Sequence, residues 1–314
     1  MNPALAVYRE FAPCAALQPY IRAIFSFTPG GEDRRSSQRR TSECLAFTGD
    51  AFCPPLLADG HACLSFTLGA VCHADGRWRA APAGCTGHIA GAVTRADSSG
   101  VERPSMIGAY FRAGGLAAFT SVSAHELTDR AVPVEDVWGA AAAGVAVRLA
   151  ESNEAVRIEA LESLLIGRVG DPHRPRASVD VSGLAASIEH SAGRVTVAQA
   201  ADAARISRQD LTRLFRERVG VTPKLYARLA RFQSGFAHAG SGETNGACAA
   251  LALGYADQSH WIAEFKEFSG LTPGGFAARR WFHPFVERVL RGRAPGSGST
   301  TASGLTTASG ECRH

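Results

Sequence analysis

The stretch Val195–Tyr226, VTVAQAADAARISRQDLTRLFRERVGVTPKLY, organises the reading of the whole chain. It spells a helix, a tight turn and a second helix. Thr196 can cap the first helix with its hydroxyl, and Gln199 three residues on completes a capping box. Val197, Ala200, Ala201 and Ala204 then make a face of small side chains that lets another helix pack close. The turn falls at Arg205-Ile206. Ser207 restarts the chain with Asp210 at the third helical position, a weaker form of the same box. In the second helix Leu211, Leu214, Phe215 and Val219 recur at i, i+3, i+4 and i+8, a buried stripe. Arg208, Gln209, Thr212, Arg213 and Arg216 are left pointing outward. Such a helix fits the DNA major groove, where arginine pairs bidentately with guanine and glutamine with adenine.

An amphipathic surface helix would share part of this pattern, since a charge run is often only a solvated face. The local charge balance favours DNA: between Arg194 and Arg231 stand nine Lys/Arg against three Asp/Glu. The whole chain of 314 residues carries only +4, so nucleic-acid affinity must come from such clustering. A composition of 46% apolar and 20% charged residues is that of a soluble globular protein, and no apolar run could span a membrane. The start, MNPALAVYREFAPC, lacks the basic segment and apolar core of a secretory signal, so a cytoplasmic location is expected. The eight cysteines include no C-x-x-C pair and are expected to be reduced, small apolar side chains.

Upstream, residues 1–133 read as a small β-rich domain of sandwich or barrel type. LQPYIRAIFSFTPG supplies one strand. Leu56-Leu57 through Asp59-Gly60 and Cys63–Leu68 read as strand, turn and strand, and GHIAGAVTRA and SMIGAYFRAGG follow. GGEDRRSSQRRTSE (30–43) is a solvated, charged loop. Ser123 to Glu126 is a further S-x-x-E box on a short helix. His61 and Cys63, with Cys72 and His73 beyond, are the right residue types for zinc. Their spacing matches no zinc pattern and no carboxylate completes the set, so ordinary packing is expected and no metal or other cofactor is assigned.

Residues 134–178 read as a helical connector and linker. Val137–Ala150 carries the row Trp138, Ala141, Val145 and Leu149, and Glu154–Val169 carries Ile158, Leu161, Leu164 and Leu165. Two such helices suit a hairpin docked on the β domain or on a second subunit. GDPHRPRAS (170–178), with its two prolines, is the linker.

Residues 179–290 then read as an all-α DNA-binding domain. After Thr222-Pro223 a long helix, about 223–239, carries Leu225, Leu229, Phe232 and Phe236 toward both of its flanks. Beyond the loop GSGETNG, the segment CAALALGYADQSHWIAEFKEFSGLTP repeats the first plan. A small-residue helix ends at Gly254, Asp257 starts another, and Trp261, Ile262, Phe265 and Phe268 form its core stripe. The remaining 291–314, with TTASG twice, has too little to bury and is expected to be disordered.

GYADQSHWIAEFKEFSGLTP resembles the signature of AraC/XylS-type transcription regulators, and ISRQDLTRLFRERVGVTP resembles that family's first helix-turn-helix. More loosely, YREFAPCAALQPYI, ADGHACLSF, AGAVTRA and YFRAGGLAAF resemble an N-terminal domain often found in front of this module. The resemblance implies an α+β chain whose two helix-turn-helix units are joined by one helix. Their recognition helices enter successive major grooves about 34 Å apart. By position it implies base readout by Gln209, Thr212 and Arg213 in the first unit and by Gln258, Ser259 and His260 in the second, with Ala263 where a longer side chain could reach a base. Arg208, Arg216 and Arg218 would anchor phosphates. It also implies a signal sensed by the N-terminal domain, a small-molecule effector, and contact with a second copy of the chain or with RNA polymerase.

Two departures stand out. Arg205 sits where the family's turn usually has Gly, and a left-handed conformation there costs roughly 1–2 kcal/mol. Residues 248–281 hold three Asp/Glu and three Lys/Arg, so the second unit is expected to bind more weakly than the first. The rival reading from another class is an enzyme, a β-barrel with metal or nucleophilic chemistry fused to a DNA-binding module. It has only the weak His61/Cys63/Cys72/His73 set to draw on. A third reading is an interaction protein whose helical repeats bind another protein.

Overall fold

The computed structural model describes residues 6–28, 41–47, 58–72, 78–80, 87–95, 103–142, 144–145, 148–149, 153–169, 179–240 and 246–277. Residues 30–40 of the charged loop expected at 30–43, Leu56-Leu57, His73, the linker 170–178 and the tail from 278 onward lie outside these residues, while Thr41 to Glu43 open a strand paired with residues 10–11 rather than ending a loop.

The N-terminal part is a single antiparallel sheet, which is the β-rich half of the expected α+β class. Its strands are β1 (Ala6–Phe11), β2 (Ile21–Thr28), β3 (Thr41–Phe47), β4 (Cys63–Cys72), β5 (Trp78–Ala80), β6 (Gly87–Ala90), β7 (Arg103–Phe111) and β8 (Ala131–Pro133). They pair in the order β3-β1-β2-β7-β4-β6-β8, with β5 added beside β4. β2 is buried along almost its whole length because both faces of the sheet are covered. Ile24, Leu64, Phe66, Ile107 and Phe111 form the core on one face, and Tyr8, Phe25 and Phe27 cluster on the other.

The helical connector closes the first of these faces. Trp138, Val145, Leu149, Leu161 and Leu165 join the sheet's own core, so both expected rows dock on the β domain. The span Val137–Ala150 is not one helix, however. Helix α2 (Val134–Trp138) stops at Gly139, whose φ of 77° takes the chain out of helical geometry. Helix α3 (Glu154–Ile166) is capped by Asn153. It is tied to the strands through Glu154, which accepts from Arg9 at 3.0 Å and from the Ser26 hydroxyl at 2.6 Å.

Helix α1 (Ala124–Leu127) begins after Ser123, but the S-x-x-E box expected there does not form. The Ser123 hydroxyl instead lies 2.7 Å from His125 Nδ1 and donates to the Glu217 carbonyl at 3.3 Å. A contact across 94 residues of sequence has replaced a local cap.

The C-terminal part is all helix: α4 (Val181–His190), α5 (Val197–Ala204), α6 (Arg208–Arg218), α7 (Pro223–Gly240), α8 (Gly246–Ala252), α9 (Gln258–Ser269) and α10 (Pro273–Ala277). Both halves of the Thr196/Gln199 capping box are present at the start of α5. Val181, Ala185, Ile188, Ala200, Leu211 and Phe215 make the core of the first unit. Leu229, Phe232, Phe236, Trp261, Phe265 and Phe268 make that of the second. Helix α7 belongs to both, and Leu225 packs against each core.

Arg205 does adopt the left-handed conformation, with φ 55° and ψ 41°. Arg205→Gly should therefore stabilise the fold. Relief of about 1–2 kcal/mol of strain is partly offset by about 0.4–1 kcal/mol from the freer unfolded glycine. Urea unfolding would read the net gain, and a loss would mean that the arginine side chain contributes more than the turn strain costs.

Candidate nucleic-acid interface

Helix α6 presents two unlike sides because its sequence has a helical period. Leu211 and Phe215 are fully buried, Leu214 is half-buried, and Arg208, Gln209, Arg213 and Arg216 are exposed. Ser207 caps the helix: Asp210 N–H donates to its hydroxyl at 3.0 Å, and the hydroxyl donates to the Asp210 carboxylate at 2.7 Å. Thr212 is half-buried, and its hydroxyl donates to the Arg208 carbonyl at 2.8 Å. Arg213 lies 3.6 Å from Asp210 and 3.6 Å from Glu217, with 65% of its side chain exposed. Pairs so exposed contribute little, about 0–1 kcal/mol, so they orient the guanidinium without locking it. Arg218 differs from its neighbours: it is half-buried and its Nε is enclosed, which leaves it less reach than Arg208 or Arg216.

These outward residues line an open cleft of about 960 Å³. Its opposite wall comes from the β domain, through Thr94, Ser123, His125 and Thr128. The sequence held no signal for this, because the parts that meet are far apart in the chain. Thr128 donates its hydroxyl to the Gly220 carbonyl at 2.8 Å. At Gly220 φ is 97°, and a Cβ would stand 2.7 Å from Thr128 Oγ1, so only glycine allows this approach.

The seam continues along α4 and α7. Ser182 donates to the Ala113 carbonyl at 2.9 Å, and Gln233 donates to the Asp59 carbonyl at 2.7 Å. Tyr226 is buried with its hydroxyl on the Glu189 carboxylate. Burial, followed by the Glu189 charge and hydrogen bond, pushes its phenol well above the ordinary tyrosine range. His61 is buried in this seam, with Nε2 3.3 Å from Arg22 and 3.8 Å from Glu189 and its ring edge-on to Tyr226. Cys63 packs elsewhere, with Tyr8, Phe25 and Phe27. Of the four residues weighed as metal ligands, His61 and Cys63 thus have separate surroundings, and among the described residues no group of three or more His, Cys, Asp or Glu could hold a metal ion.

In the second unit α9 starts after Asp257, whose carboxylate accepts from His260 N–H at 2.8 Å. Gln258, Ser259, His260 and Ala263 are exposed. The Gln258 amide lies along Gly246 of α8, where a Cβ would meet it at 2.5 Å. The His260 ring is edge-on to Tyr255 at 5.3 Å and faces the gap between the two units. Two of its three polar candidates are laid against neighbouring residues, as Thr212 and Arg213 are in α6.

A helix-turn-helix domain family matches residues 200–279, and a domain of unknown function (DUF6597) matches residues 9–133. None of the curated proteins compared with the chain matches it. Among solved structures, ToxT from Vibrio cholerae is similar at 12% identity with a TM-score of 0.36, over 72% of this chain and 92% of that one. ToxT bound to (E)-4-(8-methylnaphthalen-1-yl)but-3-enoic acid is similar at 14% identity and a TM-score of 0.35, over 72% and 92%. ToxT bound to an unsaturated fatty acid gives 12% and 0.35, over 71% and 88%. Overlap at that level does not establish a common fold. The helix-turn-helix match and the paired units that share α7 carry the assignment: residues 200–279 are an AraC-type helix-turn-helix domain, the DNA-binding module of transcription regulators.

Proposed function

We propose that the chain reads a specific DNA site with Gln209, Thr212 and Arg213 of the first unit, anchors it through Arg208 and Arg216, and adds weaker contacts from Gln258, Ser259 and His260. Arg218, half-enclosed, is the least able of the arginines to reach a phosphate. The observation that carries this reading is the exposed, cationic side of α6, set on a helix whose other side is fully packed. The test is binding of the full-length chain to DNA from upstream of its own gene, titrated across salt with random DNA as competitor. Tight binding that resists competitor and weakens steeply with salt supports the reading. If no duplex of any sequence is bound better than random DNA, the reading is wrong.

Control by the N-terminal domain runs, in this proposal, through the seam. The β domain forms one wall of the cleft that holds the reading residues, so the docked arrangement limits how a duplex can approach. A small-molecule effector would act by favouring one arrangement over another. Gln233 lies on the seam away from the cleft, so Gln233→Ala loosens docking without touching DNA-facing residues. It should raise affinity for the selected site severalfold without effector. Unchanged affinity would show that docking and DNA binding are independent.

A further inference from the structure

A second groove, of about 680 Å³, separates the two helix-turn-helix units. Its walls carry Arg194, Lys224, Arg228, Arg231 and His260, against the single carboxylate of Glu264. Two features place it on the DNA side of the molecule. One wall is the start of α5, the first helix of its unit, which in this motif crosses the sugar–phosphate backbone. The other includes the first turn of the reading helix α9, at His260. When two recognition helices occupy successive major grooves, the duplex between them turns a minor groove and its flanking phosphates toward the protein.

Most of the cations in the groove are held in place. Arg194 donates to the Ala252 carbonyl of the second unit. Arg231 donates to the Gly193 carbonyl at 3.3 Å and lies over the Tyr255 ring at 5.4 Å. Arg228 sits between two carboxylates, with Nε 2.7 Å from Glu264 and a terminal nitrogen 2.6 Å from Glu267. Burial works to lower the Arg228 pKa, but hydrogen bonds to the two carboxylates outweigh it and leave the group firmly charged. The two partners are unequal. Glu264 is buried, and stranding its charge would be costly. Glu267 is 53% exposed, and its pair can open at little cost. Lys224 is exposed and has no hydrogen bond or ion pair among the described residues.

We infer that this groove is a phosphate clamp, in which Lys224 and Arg228, with His260 opposite, grip the DNA backbone running between the two half-sites. Arg228 keeps its bond to Glu264 and exchanges Glu267 for a phosphate oxygen. The clamp sets the spacing at which both units engage, and it supplies the second unit with cations that its own sequence lacks. This inference rests on the DNA-binding reading above and extends it to residues outside the recognition helices.

The test uses the full-length chain and a duplex that it selects from a random pool. Neutral methylphosphonates replace the phosphates midway between the two half-sites, which leaves the protein untouched. Wild-type affinity should fall roughly fivefold. Lys224→Gln should show a smaller loss on the same substitution, and its salt dependence should be shallower by about 0.9 in log–log slope. Glu267→Gln should bind tighter than wild type, and that gain should largely vanish on the methylphosphonate duplex, which a general change of charge would not produce. The clamp is overturned if central methylphosphonates cost wild type nothing, if they cost Lys224→Gln as much, or if Glu267→Gln binds more weakly. A selection that enriches no duplex overturns the DNA-reading proposal, and the clamp with it.

Discussion

Phe232→Ala should destabilise the chain by about 3–5 kcal/mol, the usual cost of removing a buried aromatic side chain. Phe232 is fully buried on α7, with ring centroids 4.8 Å from Phe236, 5.1 Å from Phe265 and 5.3 Å from Phe268. These neighbours come from two helices and contact one another, so they cannot collapse into the space a missing ring would leave. Both the transfer and the cavity contributions therefore apply in full. A domain of this kind is stable by only about 5–15 kcal/mol, so the loss is a large share. The damage should fall first on the second unit, because the first has its own core around Leu211, Phe215 and Tyr226. Urea unfolding followed by helical circular dichroism would report it. A cost below about 1 kcal/mol would mean that α7 does not couple the units through this cluster.

How far sequence reasoning reached follows from the range of the interactions involved. The Thr196/Gln199 box and the rows of α6 and α7 are fixed by neighbours three or four residues apart and were legible, whereas the left-handed Arg205 was expected only from the resemblance to a family that usually has glycine there. The buried rows of the connector were legible too, but the break at Gly139 was not. A glycine within an apolar helical pattern is compatible with either outcome until its φ is known. Ser123 illustrates the opposite failure: its pattern with Glu126 is a sound local signal, yet the hydroxyl finds a better partner in the Glu217 carbonyl. The seam left no trace at all. Thr128 and Gly220 are 92 residues apart, and neither has a periodicity that points to the other. The basic groove was hidden for a related reason. Arg194 stands in the turn before α5, Lys224 on α7 and His260 on α9, and only the packing of both units on α7 brings them to one place.

Arg213→Ala should weaken binding to the selected site by about 1–3 kcal/mol, roughly 5-fold to 150-fold, and weaken binding to random DNA much less. The two effects that compete at this position differ in size. In the free protein the guanidinium is held by Asp210 and Glu217 at 3.6 Å, all three side chains being more than half exposed. Such pairs contribute little to stability, so the substitution should barely change unfolding. On DNA, a bidentate pair with the O6 and N7 of guanine is worth more than the surface pairs it displaces, and it forms only at the right base. Discrimination should therefore relax at one base-pair position of the site and nowhere else. Lysine at the same position would keep the charge but lose the planar fork, so Arg213→Lys should recover affinity for random DNA but not the preference for guanine. Binding to the selected site and to random duplex, measured at one salt concentration for all three proteins, gives the answer. If Arg213→Ala loses equally on both, and Arg213→Lys restores both, Arg213 is a phosphate anchor and base readout in the first unit falls to Gln209 and Thr212.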